Sequence, residues 1–125
     1  MNKKIMVVDD EEDVLFTVGN MLEMEGYEVM KAADGEQALD MLENKDTPDL
    51  ILLDIMMPGM DGWDVCAKIR ENSDLSGIPI IFLTAKGDTM SVGMGGLGAE
   101  DYIVKPFNVK DLKERVEQVL KSKGK

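Results

Sequence analysis

The sequence predicts an α/β domain, a doubly wound parallel sheet of five strands, and three observations predict it. Leu50-Ile51-Leu52-Leu53 run without a polar break into Asp54, and the chain then turns through Met57-Pro58-Gly59. A continuous apolar run bounded by turn residues is the pattern of a strand buried on both faces. Strand-like and helix-like patterns alternate five times along the chain. The spacers are too long for hairpins and suit crossover helices, so the strands lie parallel.

The elements follow in order. Lys4-Ile5-Met6-Val7-Val8 is the first buried strand and ends in consecutive acids, Asp9 to Asp13. Such a run would repel itself on one small surface. Part of it is therefore expected in the first turn of the next helix, where the helix dipole favours negative charge. In that helix Val14, Leu15, Val18 and Leu22 recur at helical spacing, and Gly26 ends it. Glu28 to Ala32 is the second strand. Asp34-Gly35-Glu36-Gln37 has the form of a capping box opening a helix with Ala38, Leu39 and Leu42 turned inward. Pro48 closes the loop before the third strand, and Asp61 is placed to cap a helix with a buried stripe of Val65, Cys66 and Ile69. Pro79 leads into a fourth strand, Ile80 to Leu83, ending in Thr84. A short fifth strand, Tyr102-Ile103-Val104, ends in Lys105-Pro106. Asn108 caps a last helix carrying Val109, Leu112, Val116, Val119 and Leu120, and the basic tail 121–125 is expected to fray.

With 125 residues the chain makes one domain, 1–125, large enough for a core. A net charge of −11 argues against nucleic acid and anionic membrane as direct partners. It favours cations, or a partner with a basic face. The apolar runs are too short to span a membrane, and Lys3-Lys4 lead into an apolar stretch too short for a signal peptide. The cytoplasm is the expected location. There are no histidines, which excludes histidine-based triads, His-ligated metal sites and a phosphohistidine on this chain. The single cysteine, Cys66, reads as a small apolar core residue.

Right-handed crossovers bring the C-terminal ends of parallel strands to one edge. That edge then collects Asp9, Asp10, Asp54, Thr84 and Lys105. Singly, each has a plain reading: helix-start acids, a turn cap, a strand-end hydroxyl bonded to backbone, a solvated lysine. Together they point to chemistry. Three carboxylates within a few ångströms cannot all stay ionised without a cation. Oxygen ligands without nitrogen or sulfur select a hard metal, Mg²⁺ first and Mn²⁺ second. A hydroxyl and an ammonium opposite complete a cradle for a phosphoryl group. One carboxylate can then serve as nucleophile, giving an aspartyl phosphate, with the metal, Thr84 and Lys105 stabilising charge on the transferring oxygens.

Four fragments carry a resemblance over Lys4 to Leu120: Val7-Val8-Asp9-Asp10-Glu11, the run from Asp49 to Gly62, Leu83-Thr84-Ala85, and the run from Gly98 to Phe107. In this order and at these spacings they are highly specific, and the chain resembles a receiver domain of two-component response regulators. The resemblance implies a flavodoxin-like sheet of strand order 2-1-3-4-5 with five helices. It also implies that Asp54 is the phosphoacceptor, taking its phosphoryl group from a sensor histidine kinase or a small phosphodonor. Asp10 and Asp54 match the direct Mg²⁺ ligands together with the backbone carbonyl of Met56, and Asp9 matches the acid that holds metal-bound water. Thr84 and Lys105 match the pair that senses the phosphoryl oxygens, and Tyr102 the aromatic that turns inward when Thr84 moves. Met56 and Lys86 match two positions that tune the phosphoryl lifetime. The peptide before Pro106 is expected to be cis, aiming Lys105 at the site.

One stretch departs from the family pattern. From Gly87 to Gly98 the chain places Gly93, Gly95 and Gly96 where a fourth helix is expected, a cost of about 3 kcal/mol relative to alanines. Either packing holds the helix, or the segment orders only on phosphorylation or with a partner. The expected output is a switch read on the face of this segment, strand five and the last helix, by an unidentified output protein, with the chain a monomer or weak dimer. A relay to a histidine phosphotransfer protein remains open, as does the receiver part of a longer regulator. Met1 and the short tail fit a complete protein, and a piece of a longer one would look the same. Beyond its own phosphorylation and slow dephosphorylation the chain is expected to be no enzyme. An aspartate-nucleophile phosphatase would want a second aspartate at Met56, and a flavin carrier would not tolerate Asp9-Asp10-Glu11 beside the flavin phosphate.

Overall fold

β3 (Leu50–Asp54) is buried at every position, which places it at the centre of the molecule. The computed structural model describes residues 3–44, 46–85 and 99–124. β3 lies between β1 (Lys4–Val8) and β4 (Ile80–Ala85), with β2 (Glu28–Ala32) and β5 (Asp101–Lys105) at the edges. All pairings are parallel and the order is β2-β1-β3-β4-β5, as expected. Among the described residues there are four helices: α1 (Glu12–Met24), α2 (Gly35–Glu43), α3 (Gly62–Glu71) and α4 (Val109–Gly124). The helix expected over 87–98 and the tuning residue Lys86 lie outside the described residues.

Strand side chains alternate between faces, and the core divides accordingly. Met6, Val8, Ile51, Leu53 and Phe82 pack under α2 and α3, where Ala38, Leu42, Val65, Cys66 and Ile69 meet them. Ile5, Val7, Leu50, Leu52, Ile81, Leu83 and Ile103 pack under α1 and α4, against Val18, Leu22, Leu112 and Val116. Each fully buried Leu or Ile contributes about 1.5–3 kcal/mol relative to exposure, so a one-residue slip of β3 would exchange its two faces and misalign both layers.

Caps set the helix starts. Asp34 accepts from the Gln37 N–H at 2.8 Å, Asp61 from Asp64 at 3.0 Å, and Asn108 from Lys110 at 2.7 Å. The capping box differs in one detail: Gln37 Oε1 accepts from Ala33, one residue before the cap, at 2.6 Å. At α1 Glu11 makes no side-chain cap; Asp9 Oδ1 takes the Glu11 N–H instead, at 2.9 Å. Gly26 follows α1 at φ +95°, a conformation that favours glycine.

Three elements differ in extent from expectation. β4 runs one residue past Thr84, which pairs in register with Val104, and β5 runs one residue further at each end. Val109, which keeps the helical period, is exposed in the first turn of α4. Helical geometry continues through the basic tail to Gly124, with Ser122 Oγ donating to the Val119 carbonyl at 3.1 Å.

At the opposite end of the sheet, Arg70 of α3 donates to the Ser76 and Ile78 carbonyls, both at 2.8 Å, and meets Glu100 at 3.3 Å. Glu100 in turn accepts from and donates to the Ile80 backbone, each at 2.8 Å. This clamp registers the beginnings of β4 and β5, so that their far ends deliver Thr84 and Lys105 to one place.

Candidate active site

The C-terminal edge of the sheet assembles the predicted residues. Asp54 ends β3 and is 5% exposed; Asp9, just beyond β1, and Thr84, inside β4, are fully buried. Asp10 is exposed at the rim. One carboxylate oxygen from each of Asp9, Asp10 and Asp54 lies within 4.8 Å of the others. From the end of β5, Lys105 Nζ reaches Asp9 Oδ2 at 2.8 Å and Asp54 Oδ1 at 3.5 Å. The Lys105–Pro106 peptide is cis.

Burial and charge shape this cluster. The Asp54 carboxyl is pushed up to about 7, first by burial and then by the Asp9 charge; Lys105 opposes the rise, while a hydrogen bond with Asp10 and its charge add to it. Burial works against the Lys105 charge, yet the hydrogen bond to Asp9 and the Asp9 and Asp54 charges outweigh it, and its pKa is raised. Among the described residues, one ammonium for three carboxylates leaves the edge short of positive charge. That deficit and an all-oxygen donor set fit a hard divalent cation.

The loop after β3 is held by a contact that sequence patterns did not reveal. Gly62 opens α3 against the end of β3, donating its N–H to the Ile55 carbonyl at 2.8 Å. A Cβ at Gly62 would stand 2.4 Å from the Asp54 carbonyl oxygen and 2.8 Å from Ile55 Cα. A glycine directly after a capping aspartate was the available signal. Trp63, the next residue, stacks edge-on against Phe82 of β4, ring centroids 4.9 Å apart. Lys105 also walls an apolar groove with Val14, Val18, Pro106 and Phe107, rimmed by Glu11 and Asp13.

A family model described as the response regulator receiver domain matches residues 5–117. The chain belongs to that family. This receiver domain is 44% identical over 122 residues to the alkaline phosphatase synthesis transcriptional regulatory protein PhoP of Bacillus subtilis, covering 97% of the chain and 50% of PhoP. It is 45% identical over 124 residues to the probable transcriptional regulator ycf27 of Guillardia theta, covering 98% and 47%. The chain thus spans about half the length of these curated relatives. Among solved structures, the CheY-like receiver domain protein of Methanospirillum hungatei superposes with a TM-score of 0.83 at 38% identity, over 96% of this chain and 95% of that one. NtrX of Brucella abortus gives 0.90 at 31% identity, over 99% of this chain and 28% of NtrX.

Of the remaining predicted residues, Tyr102 and Met56 are among those described. Tyr102 is 43% exposed on β5, and Met56 lies exposed two residues beyond Asp54. Among the described residues no helix is long and apolar enough to cross a membrane.

Proposed function

We propose that this receiver domain is a phosphorylation-activated switch of a two-component system, working in the cytoplasm, with Asp54 as the phosphoacceptor. The observation that carries the reading is the position of Lys105, which spans Asp9 and Asp54 from β5 on the sheet edge that also holds the buried Thr84. An Asp54 carboxylate oxygen attacks the phosphorus of a sensor kinase's phosphohistidine. The P–O bond forms as the P–N bond breaks, and the electron pair returns to the imidazole nitrogen. Asp10, Asp54 and the Met56 backbone carbonyl would hold Mg²⁺, or Mn²⁺, with Asp9 holding a metal-bound water. When bound, the metal would neutralise charge on the transferring oxygens. Lys105, already between two carboxylates, supplies its ammonium to the incoming phosphoryl oxygens, and the Thr84 hydroxyl donates to another. Drawing Thr84 toward the phosphoryl group opens space beside β5 that the exposed Tyr102 ring can enter. The signal is thereby passed to the β5–α4 face.

Trp63 is the only tryptophan, and its contact with Phe82 makes it the reporter. Its fluorescence is expected to change on adding Mg²⁺ and again on adding beryllofluoride, a phosphoryl mimic. Asp54→Ala is expected to lose the second change, and an unaltered beryllofluoride response in that variant would sink the assignment.

Met56 cannot orient an attacking water by hydrogen bond, so self-dephosphorylation is expected to take minutes or longer. Met56→Asn supplies a water-orienting group, and a shortening of about fivefold follows from one added hydrogen bond. Decay of ³²P-labelled protein measures it, and equal half-lives would count against this role.

The names of PhoP and ycf27 favour transcription as the output. With a charge of −11 this domain does not read DNA itself, so such an output requires another part or partner. Phosphotransfer from the labelled domain back to a histidine phosphotransfer protein would favour a relay instead.

A further inference from the structure

We propose that Met56 is an oxidation site through which peroxide shortens the lifetime of the phosphoryl group on Asp54. The inference rests on the reading of Asp54 given above. Past the end of β3, burial alternates residue by residue: Ile55 is 1% exposed, Met56 63% and Met57 7%. The Ile55 N–H still donates to the Leu83 carbonyl at 3.2 Å, so ladder geometry carries beyond the strand. Side chains on such a chain alternate in direction. Met56 therefore falls on the same side as Asp54, two residues on, at the solvent rim of the carboxylate site.

Exposure makes the thioether selective as well as reachable. The protein has 11 methionines, but among the described residues only Met24 shares this degree of exposure, and Met6, Met30 and Met57 are buried. Met24 ends α1, which runs back from the C-terminal edge of the sheet, so it sits at the end remote from Asp54. Cys66 is buried, and burial pushes its thiol up, so it stays in the less reactive protonated form.

A hydroperoxide delivers one oxygen atom to the Met56 sulfur. The O–O bond breaks, the S–O bond forms, the sulfur loses two electrons, and hydrogen peroxide leaves as water. A thioether is a weak hydrogen-bond acceptor and a sulfoxide a strong one. The new oxygen stands where it can hold a water against the acyl phosphate of Asp54. Oxidation thus converts a side chain indifferent to water into one that orients it, and a long-lived signal into a shorter one.

The test treats the intact protein with hydrogen peroxide, maps oxidised methionines by peptide mass, and follows loss of phosphoryl label after charging with acetyl phosphate. Met56 and Met24 are expected to gain oxygen well before Met57, and the half-life to fall about fivefold, the effect of one added neutral hydrogen bond. Met24→Leu should keep the peroxide response, Met56→Leu should lose it, and Met56→Gln, a polar mimic of the sulfoxide, should show short life without peroxide. Slow oxidation at Met56, an unchanged half-life once it is oxidised, or a persistent response in Met56→Leu overturns the proposal. A protein that takes up no phosphoryl group before peroxide overturns both readings. One that takes it up and keeps it equally long after Met56 is oxidised overturns this one alone.

Discussion

Gly62→Ala is expected to lower stability by about 3 kcal/mol, at the upper end of what overpacking usually costs. The added Cβ would meet the Asp54 carbonyl oxygen at 2.4 Å and Ile55 Cα at 2.8 Å. Both are backbone atoms, so no rotamer change relieves the clash; either α3 lifts from the sheet or the end of β3 is displaced. Displacing β3 moves Asp54 itself, and separating α3 from it breaks the Gly62–Ile55 hydrogen bond. Gly77→Ala is the matched control. Its Cβ would meet nothing within 4 Å and its φ is not positive, so the change should be neutral, or stabilising by about 0.5 kcal/mol through the unfolded chain. Urea midpoints of the two variants decide it, and equal midpoints would refute the steric account.

In the presence of a chelator, Asp54→Asn is expected to stabilise the protein at pH 8 by about 2 kcal/mol and to leave it nearly unchanged at pH 4. The carboxyl has an ordinary value of 3.8 and is pushed up to about 7 in the fold, burial being the first cause and the Asp9 charge the second. Between these values the folded protein holds a proton that the unfolded chain has released. Stability is therefore highest, as far as this group is concerned, below pH 4 and falls as the pH rises towards 7. Three pKa units would carry about 4 kcal/mol, and the nearby Lys105 ammonium, which loses one partner in the variant, reduces the gain. Addition of Mg²⁺ at a hundredfold excess over its dissociation constant should return about 2.7 kcal/mol to the wild type and much less to Asp54→Asn. A variant with the wild-type pH profile under chelation would show that Asp54 is not held in this state.

Much of the molecule is legible in its amino-acid sequence, because the signals are local. The apolar run at Leu50–Leu53, the alternation of strands and helices, and the caps at Asp34, Asp61 and Asn108 depend on residues a few positions apart. The site is legible for a related reason: a parallel sheet with right-handed crossovers carries every strand end to one edge. Thr84 is expected to end its strand, yet the strand runs on to Ala85, since a hydroxyl at a strand end and one inside the ladder look alike until the partner register is known. Val109 matches helical period yet lies exposed, because period assigns a face to a helix and only docking decides where that face stops being covered.

By itself, then, the sequence determined the order of elements, the sheet edge at which Asp9, Asp10, Asp54, Thr84 and Lys105 gather, and the oxygen-only character of that edge. Only the tertiary structure decided that Lys105 pairs with Asp9 across 96 positions of chain, that Gly62 leaves no room for a side chain above Asp54, and that Arg70 and Glu100 tie together the beginnings of β4 and β5. These are contacts between elements. They depend on distances set by packing, for which no short-range pattern in the chain carries a signal.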